Sequence, residues 1–430
     1  MAPVSPTHSD EVFVVHGGAP LEGTMRVHGA KNSALKLMPA CLLAEGESVL
    51  TNVPEIADVP VMADILRGVG AEVDVDEETV VVRVAEPDWH PPADAVSGIR
   101  ASTAALGPLV GRCRRARLAL PGGDKIGERP IDMHLTGLEA MGATVIQDGD
   151  EIEVRAPELH GAQITLDFPS VGATENLVMA ATLADGLTII ENAAREPEIQ
   201  DLCRMLNEMG ARITGIGEPR VEIEGVDHLE PVSWRTCPDR IEAGTFAMAA
   251  AVTGGDVLLE SVRPGDLYLP LTKLRAAGVV VEEGADSIRV KGDDLVACDF
   301  VTLPYPGFPT DLQPQMMVLL SQARGTSRCT ENVFESRFSF VDELRKMGAD
   351  LEIDGHHALI RGPSRLHGAV LDALDVRAGA AGVMAGLVAR GETVVRDIHH
   401  VLRGYAHFVE RLTSIGADVQ RVAEEDWDDG

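Results

Sequence analysis

Residues that could bind anions or move protons stand at the starts of six long apolar segments of this sequence. Four of these starts carry a lysine or an arginine, and the other two carry a serine or an aspartate. A helix start presents unpaired N–H groups and about half a positive charge, so several starts brought together would hold phosphates and carboxylates. Each such residue alone is also typical of an ordinary helix cap, and the recurrence favours an anion site. The residues are Lys31 and Asn32, Arg100, Ser170, Arg240, Asp311 and Arg377.

A second set of arginines recurs in loops that follow the apolar segments. A solvated surface charge is the usual role of an arginine, but here the residue returns at one place in each unit. The stretches are PGGDKIGERP, ENAAREPEI, VRPGDLY, VFESRF and HHVLRGY. Two sets of anion-binding residues predict a cleft between two halves of the chain.

A six-fold internal repeat supplies the elements that must position these residues. Its marker is a helical end, a glycine, then Ala or Val and strand-like residues, and successive markers are 68 to 72 residues apart. So regular a period indicates one supersecondary unit copied six times. A glycine there is expected at the position just after a helix, where a left-handed backbone favours it, with a strand following. The marker glycines are Gly70, Gly142, Gly210, Gly278, Gly348 and Gly416.

The six apolar segments have no polar face, which predicts helices that are enclosed beneath sheets. Three repeats precede the stretch EPVSWRTCPDR and three follow it, so a domain boundary is expected near residues 231–238. We predict domain I at residues 31–235 and domain II at 1–30 plus 236–430, with two chain crossings as a hinge. The N-terminal segment VFVVHGGAPLEGTMRVHGA is expected to pair with the last repeat and close domain II.

Length and charge limit the function classes. A chain of 430 residues with 45% apolar content can bury at least two cores. The formal net charge of −31 argues against binding nucleic acid or an anionic membrane, so an anionic ligand needs a local basic cluster. No membrane span or export signal is recognisable, which predicts a cytoplasmic protein. Scattered cysteines and the lack of a HExxH pattern argue against a disulfide framework and a metal site.

Several long motifs are similar to those of the UDP-N-acetylglucosamine 1-carboxyvinyltransferase family, the enolpyruvyl transferases of peptidoglycan synthesis. The resemblance runs almost end to end. It implies an α/β fold of two inside-out α/β barrel domains built from six βαβαββ-type repeats, and it implies no cofactor. The motifs are GAKNSAL, IRAS with ALGPLVGR, LPGGDKIGERPIDMH, PSVGATEN, ENAAREPEI, FPTDLQPQ, TENVFESRF, DVRAGA and RGY.

The family's reaction transfers the enolpyruvyl group of phosphoenolpyruvate to the 3-hydroxyl of UDP-N-acetylglucosamine, through a tetrahedral ketal that loses phosphate. By resemblance Asp311 is the base at the sugar hydroxyl, although an aspartate after a threonine is also typical of a cap. Asp124 occupies a position that is cysteine in many relatives, where that cysteine serves as proton donor to C3 or aids product release. An aspartate in a Gly-Gly-Asp loop is also common in Asx turns. Because fosfomycin alkylates that cysteine, the aspartate predicts a resistant enzyme.

The resemblance also assigns substrate contacts. Lys31, Arg129 and Arg403 are expected on phosphoenolpyruvate, with Asn32 and Arg377 beside them and Asp375 as an orienting partner. A second group is expected to line the uridine, diphosphate or sugar of the nucleotide sugar, or to act in closure. It comprises Arg100, Arg129, Pro130, Ile131, Asp132, Met133, Phe168, Pro169, Ser170, Val171, Gly172, Val333 and Arg337.

Two further departures from the family and two alternative functions accompany this hypothesis. Phe168 stands where some members have lysine, which predicts stacking or packing on uracil in place of a charge contact. Leu402 stands where the family commonly has aspartate before the arginine. The sister reaction on shikimate 3-phosphate is one alternative. The other is a paralogue that binds nucleotide sugar without turnover or acts on a specialised metabolite.

Overall fold

The computed structural model describes residues 11–90, 100–119, 131–149, 151–334 and 336–427. Its α-helices are α1 (Lys31–Ala40), α2 (Asp58–Gly68), α3 (Leu106–Cys113), α4 (Asp132–Ala140), α5 (Val171–Ala181), α6 (Pro197–Glu208), α7 (Arg240–Val252), α8 (Tyr268–Ala276), α9 (Gln313–Ser321), α10 (Val341–Lys346), α11 (Val376–Val388), α12 (His399–Leu402) and α13 (Phe408–Ser414). Short 3₁₀ turns span Cys41–Leu43, Arg100–Ala105, Pro264–Leu267, Thr310–Leu312 and Glu424–Asp426.

The strands alternate with these helices along the chain. They are β1 (Glu11–His16), β2 (Glu22–Arg26), β3 (Gly46–Thr51), β4 (Glu72–Asp76), β5 (Thr79–Val84), β6 (Arg115–Ala119), β7 (Thr144–Asp148), β8 (Glu151–Arg155), β9 (Gln163–Thr165), β10 (Leu187–Glu191), β11 (Arg212–Thr214), β12 (Arg220–Glu224), β13 (Ser233–Arg235), β14 (Asp256–Glu260), β15 (Val280–Glu283), β16 (Ser287–Lys291), β17 (Phe300–Val301), β18 (Gly325–Thr330), β19 (Asp350–Asp354), β20 (His357–Gly362), β21 (Val370–Asp372), β22 (Glu392–Arg396) and β23 (Asp418–Ala423).

The six marker glycines end helices as the sequence predicts. All six have positive φ, between +86° and +103°, a backbone conformation that costs a residue with a β-carbon more than it costs glycine. Strands β4, β7, β11, β15, β19 and β23 follow within two residues of a marker. The six-fold repeat is therefore confirmed at the level of secondary structure.

The chain divides into two compact units. Among the described residues, unit I lies within residues 29–237 and unit II within residues 11–28 and 238–427. The chain thus passes from one unit to the other at residues 28/29 and again at residues 237/238. That these crossings act as a hinge stays a prediction.

The sheets of unit I repeat one pattern. Their strand orders in the described residues are β13-β3-β5-β4, β6-β8-β7 and β11-β12-β10-β9. In each, the strand after a buried helix pairs antiparallel with the second strand of a hairpin, whose first strand follows a marker glycine. The segment before the second crossing forms β13, which pairs parallel with β3.

Unit II has the same pattern, but the N-terminal strand completes its last sheet. The strand orders are β15-β16-β14-β2, β17-β18-β20-β19 and β21-β22-β1-β23. Strand β1 pairs antiparallel with both β22 and β23. It therefore occupies the position in its sheet that β20 occupies between β18 and β19 in theirs. The predicted pairing of the N-terminal segment with the last repeat is therefore confirmed. The segment is nevertheless two strands, since β2 pairs parallel with β14 in a different sheet.

Three fully enclosed helices form the centre of unit II. Every residue of α7 and of α9 is buried, and α11 is buried from Val376 to Leu387. These three helices pack on one another beneath the sheets. Helices without a polar face can persist only when other elements cover them on all sides, as the sequence predicts.

The buried helices of unit I are α1, α3 and α5. Helix α3 packs against α5, and α1 packs against the 3₁₀ turn that precedes α3. Within the described ranges no helix is both long and apolar enough to cross a membrane.

Candidate active site

A carboxylate bound by two buried arginines stands at the centre of the charged cluster in unit II. Oδ1 of Asp311 lies 3.2 Å from Nη2 of Arg337, and Oδ2 lies 3.2 Å from both Nε and Nη2 of Arg377. The side chains of the two arginines are 1% and 6% exposed, whereas that of Asp311 is 27% exposed. The carboxylate is therefore the member of this cluster that a substrate can reach most easily.

The starts of the buried helices bring this cluster together. Asp311 lies in the 3₁₀ turn Thr310–Leu312 that leads into α9, and Arg377 is the second residue of α11. Asp375 caps α11, because its Oδ1 accepts hydrogen bonds from the backbone N–H of Arg377 (2.7 Å) and of Ala378 (2.9 Å). Asp375 thus orients Arg377 through its backbone, while the guanidinium is oriented by Asp311.

Two N–H groups of this cluster are buried without an acceptor. Nε of Arg337 and Nη1 of Arg377 have no hydrogen-bond partner within the described part of the chain. Burial by itself would lower the pKa of Arg377, but Tyr405 and the carboxylates of Asp311 and Asp239 raise it above its ordinary value. Buried guanidinium N–H groups without an acceptor favour an anionic ligand.

The Arg403 loop lies over the start of α11. A β-carbon at Gly404 would be 2.2 Å from Cγ1 of Val376, so only glycine permits this approach. The Tyr405 hydroxyl is buried and lies 2.9 Å from Oγ1 of Thr245 on α7 and 3.3 Å from Nε2 of Gln315 on α9. Tyr405 therefore fastens the loop that carries Arg403 to two of the three buried helices. The preceding Leu402 is partly buried against the apolar core of unit II.

In unit I the predicted phosphoenolpyruvate ligand Lys31 is held by an acidic partner. Lys31 is the first residue of α1, and its Nζ lies 2.8 Å from Oδ2 of Asp58, the first residue of α2. Asp58 is 3% exposed. The neighbouring Asn32 is exposed at the second position of α1.

The PSVG segment of unit I opens helix α5 and is fixed by side chains behind it. Ser170 caps α5, its Oγ accepting from the N–H of Ala173 at 3.3 Å, so the cap interpretation holds for this residue. Gly172 faces the ring of His134, where a β-carbon would lie 3.1 Å from Cε1. Phe168 is 41% exposed, which leaves its ring available for stacking.

Asn176 joins this segment to the start of α3. Its Oδ1 accepts from the N–H of Gly107 at 2.6 Å, and its Nδ2 donates to the carbonyls of Thr103 (3.0 Å) and Gly172 (3.3 Å). Nδ2 also lies 3.0 Å from Nδ1 of His134. The starts of α3 and α5 therefore lie together in unit I, as those of α9 and α11 do in unit II.

The remaining predicted contacts are placed as follows. Ile131 and Met133 are half-buried and Asp132 is exposed at the start of α4, while Pro169 and Val171 are half-buried around Ser170. Val333 is half-buried after β18, and Arg100 begins a 3₁₀ turn. Asp124, Arg129 and Pro130 lie outside the described residues.

Comparison with known proteins gives one consistent family. The family description EPSP synthase (3-phosphoshikimate 1-carboxyvinyltransferase) matches residues 15–412. A UDP-N-acetylglucosamine 1-carboxyvinyltransferase of Corynebacterium jeikeium is 54% identical, over 95% of this chain and 99% of that protein. One from Mycobacterium tuberculosis is 53% identical, over 96% of this chain and 99% of that protein. The chain belongs to the UDP-N-acetylglucosamine 1-carboxyvinyltransferase family.

Solved structures agree with membership of this family. The enolpyruvyl transferase NikO from Streptomyces tendae has a TM-score of 0.88 at 27% identity, covering 96% of this chain and 99% of that chain. EPSP synthase from Acinetobacter baumannii has a TM-score of 0.75 at 20% identity, covering 96% and 99%. The latter likeness shows the enolpyruvyl transferase fold alone, the fold that the sequence predicts.

Several side chains that build the site escaped prediction from the sequence. His134, Asn176 and Tyr405 stand inside motifs that carry the resemblance to the 1-carboxyvinyltransferases, so the motifs themselves are the signal that could have found them. Asp58 had no such signal, since its partner Lys31 lies on a different helix. A buried acid is indistinguishable in sequence from a solvated one until the packing is known.

Proposed function

We propose that this chain transfers the enolpyruvyl group of phosphoenolpyruvate to the 3-hydroxyl of UDP-N-acetylglucosamine and releases phosphate, the first committed step of peptidoglycan synthesis. Identities of 53% and 54% to named 1-carboxyvinyltransferases over nearly the whole chain support the proposal. The observation that carries it is the partly exposed Asp311 carboxylate held by two buried arginines.

Asp311 is proposed to act as the base. Its carboxylate would accept the proton of the sugar 3-hydroxyl as the hydroxyl oxygen bonds to C2 of phosphoenolpyruvate, while an acid protonates C3. Loss of a proton from C3 and of phosphate from C2 then forms the enol ether of the product. The fixed guanidinium groups of Arg337 and Arg377 keep the carboxylate in one orientation, which is the requirement for proton transfer at hydrogen-bond distance.

The other proposed roles follow the family. Asp124 would supply the proton to C3, and Lys31, Arg129 and Arg403 would bind the phosphate and carboxylate of phosphoenolpyruvate, with Asn32 nearby. Arg100, residues 129–133, residues 168–172 and Val333 would contact UDP-N-acetylglucosamine. The backbone N–H groups that open α5 suit a diphosphate. We place the reaction in the cytoplasm because both proposed substrates are phosphorylated metabolites.

Phosphate release is the direct test of this function. The purified chain is incubated with phosphoenolpyruvate alone, with added UDP-N-acetylglucosamine, and with added shikimate 3-phosphate, over a range of salt concentrations. We expect release only with the nucleotide sugar, and a decrease of roughly 100-fold or more for Asp311→Asn, as is usual for loss of a catalytic base. Glu352→Gln, which alters an exposed carboxylate on β19, is the matched control and should be as active as the wild type.

Two other outcomes would assign a different function to this chain. Release with shikimate 3-phosphate would assign the sister reaction, which the names of the relatives do not favour. Binding of the nucleotide sugar without release at any salt concentration would indicate the non-catalytic paralogue.

A further inference from the structure

A buried glutamate beside the proposed base has no role in the mechanism described above. Glu331 follows strand β18 and is 4% exposed. In the described ranges neither a lysine nor an arginine pairs with its carboxylate, which instead accepts hydrogen bonds from two backbone N–H groups and one hydroxyl. Burying a carboxylate without a paired cation costs free energy, so stability alone does not explain an acid at this position.

One oxygen of Glu331 holds the backbone that is proposed to contact the nucleotide sugar. Oε1 accepts hydrogen bonds from the N–H of Val333 at 2.8 Å and from the N–H of Phe334 at 3.1 Å. The other oxygen holds the turn that carries the base. Oε2 accepts from the Thr310 hydroxyl at 3.0 Å, and Thr310 immediately precedes Asp311.

The glutamate itself is anchored by the strands around it. Its backbone N–H donates to the carbonyl of His356 at 2.8 Å, and the next N–H, of Asn332, donates to Oγ1 of the fully buried Thr302 at 3.1 Å. At the far end of the same loop Arg337 bonds the Asp311 carboxylate. The loop is thus fastened to the Thr310–Asp311 turn at two points.

We propose that Glu331 is a positioning residue that sets both the Asp311 carboxylate, through Thr310, and the Val333 backbone that receives the nucleotide sugar. This inference rests on the proposed function. Because each oxygen of the carboxylate serves a different substrate-facing group, the two effects are separable by mutation. Loss of the hydrogen bond between Thr310 and Glu331 should impair proton transfer alone. Loss of the whole carboxylate should also weaken binding of the nucleotide sugar.

Three variants separate these effects. Thr310→Val removes the hydroxyl and keeps the shape of the side chain. Glu331→Ala removes the carboxylate and with it the hydrogen bonds to Thr310, Val333 and Phe334. Glu331→Gln keeps an oxygen for the two N–H groups and offers an NH₂ group to the Thr310 hydroxyl, which can accept as well as donate.

Steady-state kinetics with both substrates and thermal unfolding are measured for each variant. For Thr310→Val we expect kcat to fall roughly tenfold, the effect of one lost hydrogen bond, with the KM for UDP-N-acetylglucosamine unchanged. For Glu331→Ala we expect a similar fall in kcat and a KM for the nucleotide sugar raised roughly fivefold or more. Glu331→Gln should recover most of both losses, and combining Thr310→Val with Glu331→Ala should lower kcat no further than Glu331→Ala alone.

Two results would overturn the positioning role in an active enzyme. One is wild-type kcat and KM in Thr310→Val and Glu331→Ala, whatever their melting temperatures. The other is a folded Glu331→Gln that is as impaired as Glu331→Ala. If Glu331→Ala does not fold, Thr310→Val and Glu331→Gln still decide the question. A wild-type chain that releases no phosphate with UDP-N-acetylglucosamine instead overturns the proposed function, and with it the role of Asp311 that Glu331 supports.

Discussion

At the scale of single residues, Asp311 differs from the other acids that begin or precede buried helices. Asp239 and Asp375 use their carboxylates to cap α7 and α11. The Asp311 carboxylate is instead bonded by the side chains of Arg337, from the loop after β18, and of Arg377, from the start of α11. Similar sequence contexts thus lead to a structural cap in two cases and to a candidate base in the third.

Asp124 gives a prediction about drug response. The wild-type chain should keep its activity after incubation with fosfomycin, because the family resemblance implies that Asp124 stands where the drug would otherwise alkylate a thiol. Asp124→Cys should lose activity progressively with time, measured as residual phosphate release after dilution from the drug. Asp124→Ser lacks both the carboxylate and a thiol, so its activity should be low from the start but should not decline further with time in the drug.

The native cysteines should not react with fosfomycin fast enough to affect this experiment. Burial raises the pKa of Cys41 and of Cys203 to about 12, and it raises the pKa of Cys113 to about 11. Thiols of this kind are almost entirely protonated at neutral pH and react slowly with electrophiles. Time-dependent inactivation of the wild type would therefore contradict the role assigned to Asp124.

At the scale of secondary-structure elements, His134 on α4 and Asn176 on α5 make the unit I site sensitive to pH. Oδ1 of Asn176 accepts from Gly107, so its Nδ2 must donate to Nδ1 of His134. That contact requires an unprotonated Nδ1. Burial, together with the charge of Lys36, lowers the pKa of His134 to about 4.

Stability should follow the titration of His134. Its pKa is lower in the folded chain than the ordinary value of 6.5. The neutral ring therefore contributes stability that is complete above pH 6.5 and is lost as the pH falls towards 4. The loss should be about 3 kcal/mol, measured by urea unfolding at a series of pH values.

The variant His134→Gln tests the assignment. It should be less stable than the wild type at pH 7 and should show a flatter stability profile at acid pH. The corresponding change at the exposed His160, His160→Gln, should leave the wild-type slope intact. An unchanged slope in His134→Gln would mean that other groups cause the acid sensitivity.

At the scale of the whole molecule, one buried carboxylate in each unit bonds the chain next to a crossing between the units. In unit I, Asp201 on α6 accepts from Ser33 (2.6 Å), from the indole N–H of Trp234 (3.2 Å) and from the N–H of Cys237 (3.0 Å). In unit II, Glu242 on α7 accepts from the N–H of His28 at 2.9 Å and pairs with Arg411 at 2.8 Å. In each unit, therefore, one buried acid holds the chain next to a crossing.

Breaking the Glu242 pair should be among the most destabilising single changes in unit II. Burial opposes its charge, but Arg411 and His28 lower the pKa of Glu242 to about 2. Glu242→Gln would leave the buried charge of Arg411 unpaired and should reduce the free energy of unfolding by roughly 3–5 kcal/mol.

Two comparisons make this prediction specific. Replacing both partners, Glu242→Gln with Arg411→Met, should recover part of the loss because no unpaired charge then remains. Asp342→Ala, which breaks the exposed pair with Arg345, should change stability by less than about 1 kcal/mol. A loss under about 1 kcal/mol in Glu242→Gln would contradict a structural role for the pair.

The sequence by itself determined the repeat, the enclosed helices and the family. These follow from local rules: a glycine takes the left-handed conformation after a helix, and a helix without a polar face must be covered. The marker glycines and α7, α9 and α11 show both rules in the folded chain. The motifs around Lys31, Asp311 and Arg403 then gave the reaction class, because they are long enough to be specific.

Only the tertiary structure decided which side chains meet. The sequence could not show that β2 leaves the sheet of β1 to pair with β14, or that Asp58 pairs with Lys31. Nor could it distinguish Glu331, which joins Thr310 to the Val333 backbone, from an ordinary acid in a loop. The partner of a buried carboxylate is chosen by segments far away in the sequence, whose approach depends on the packing of the entire unit and leaves no periodic signal in the chain.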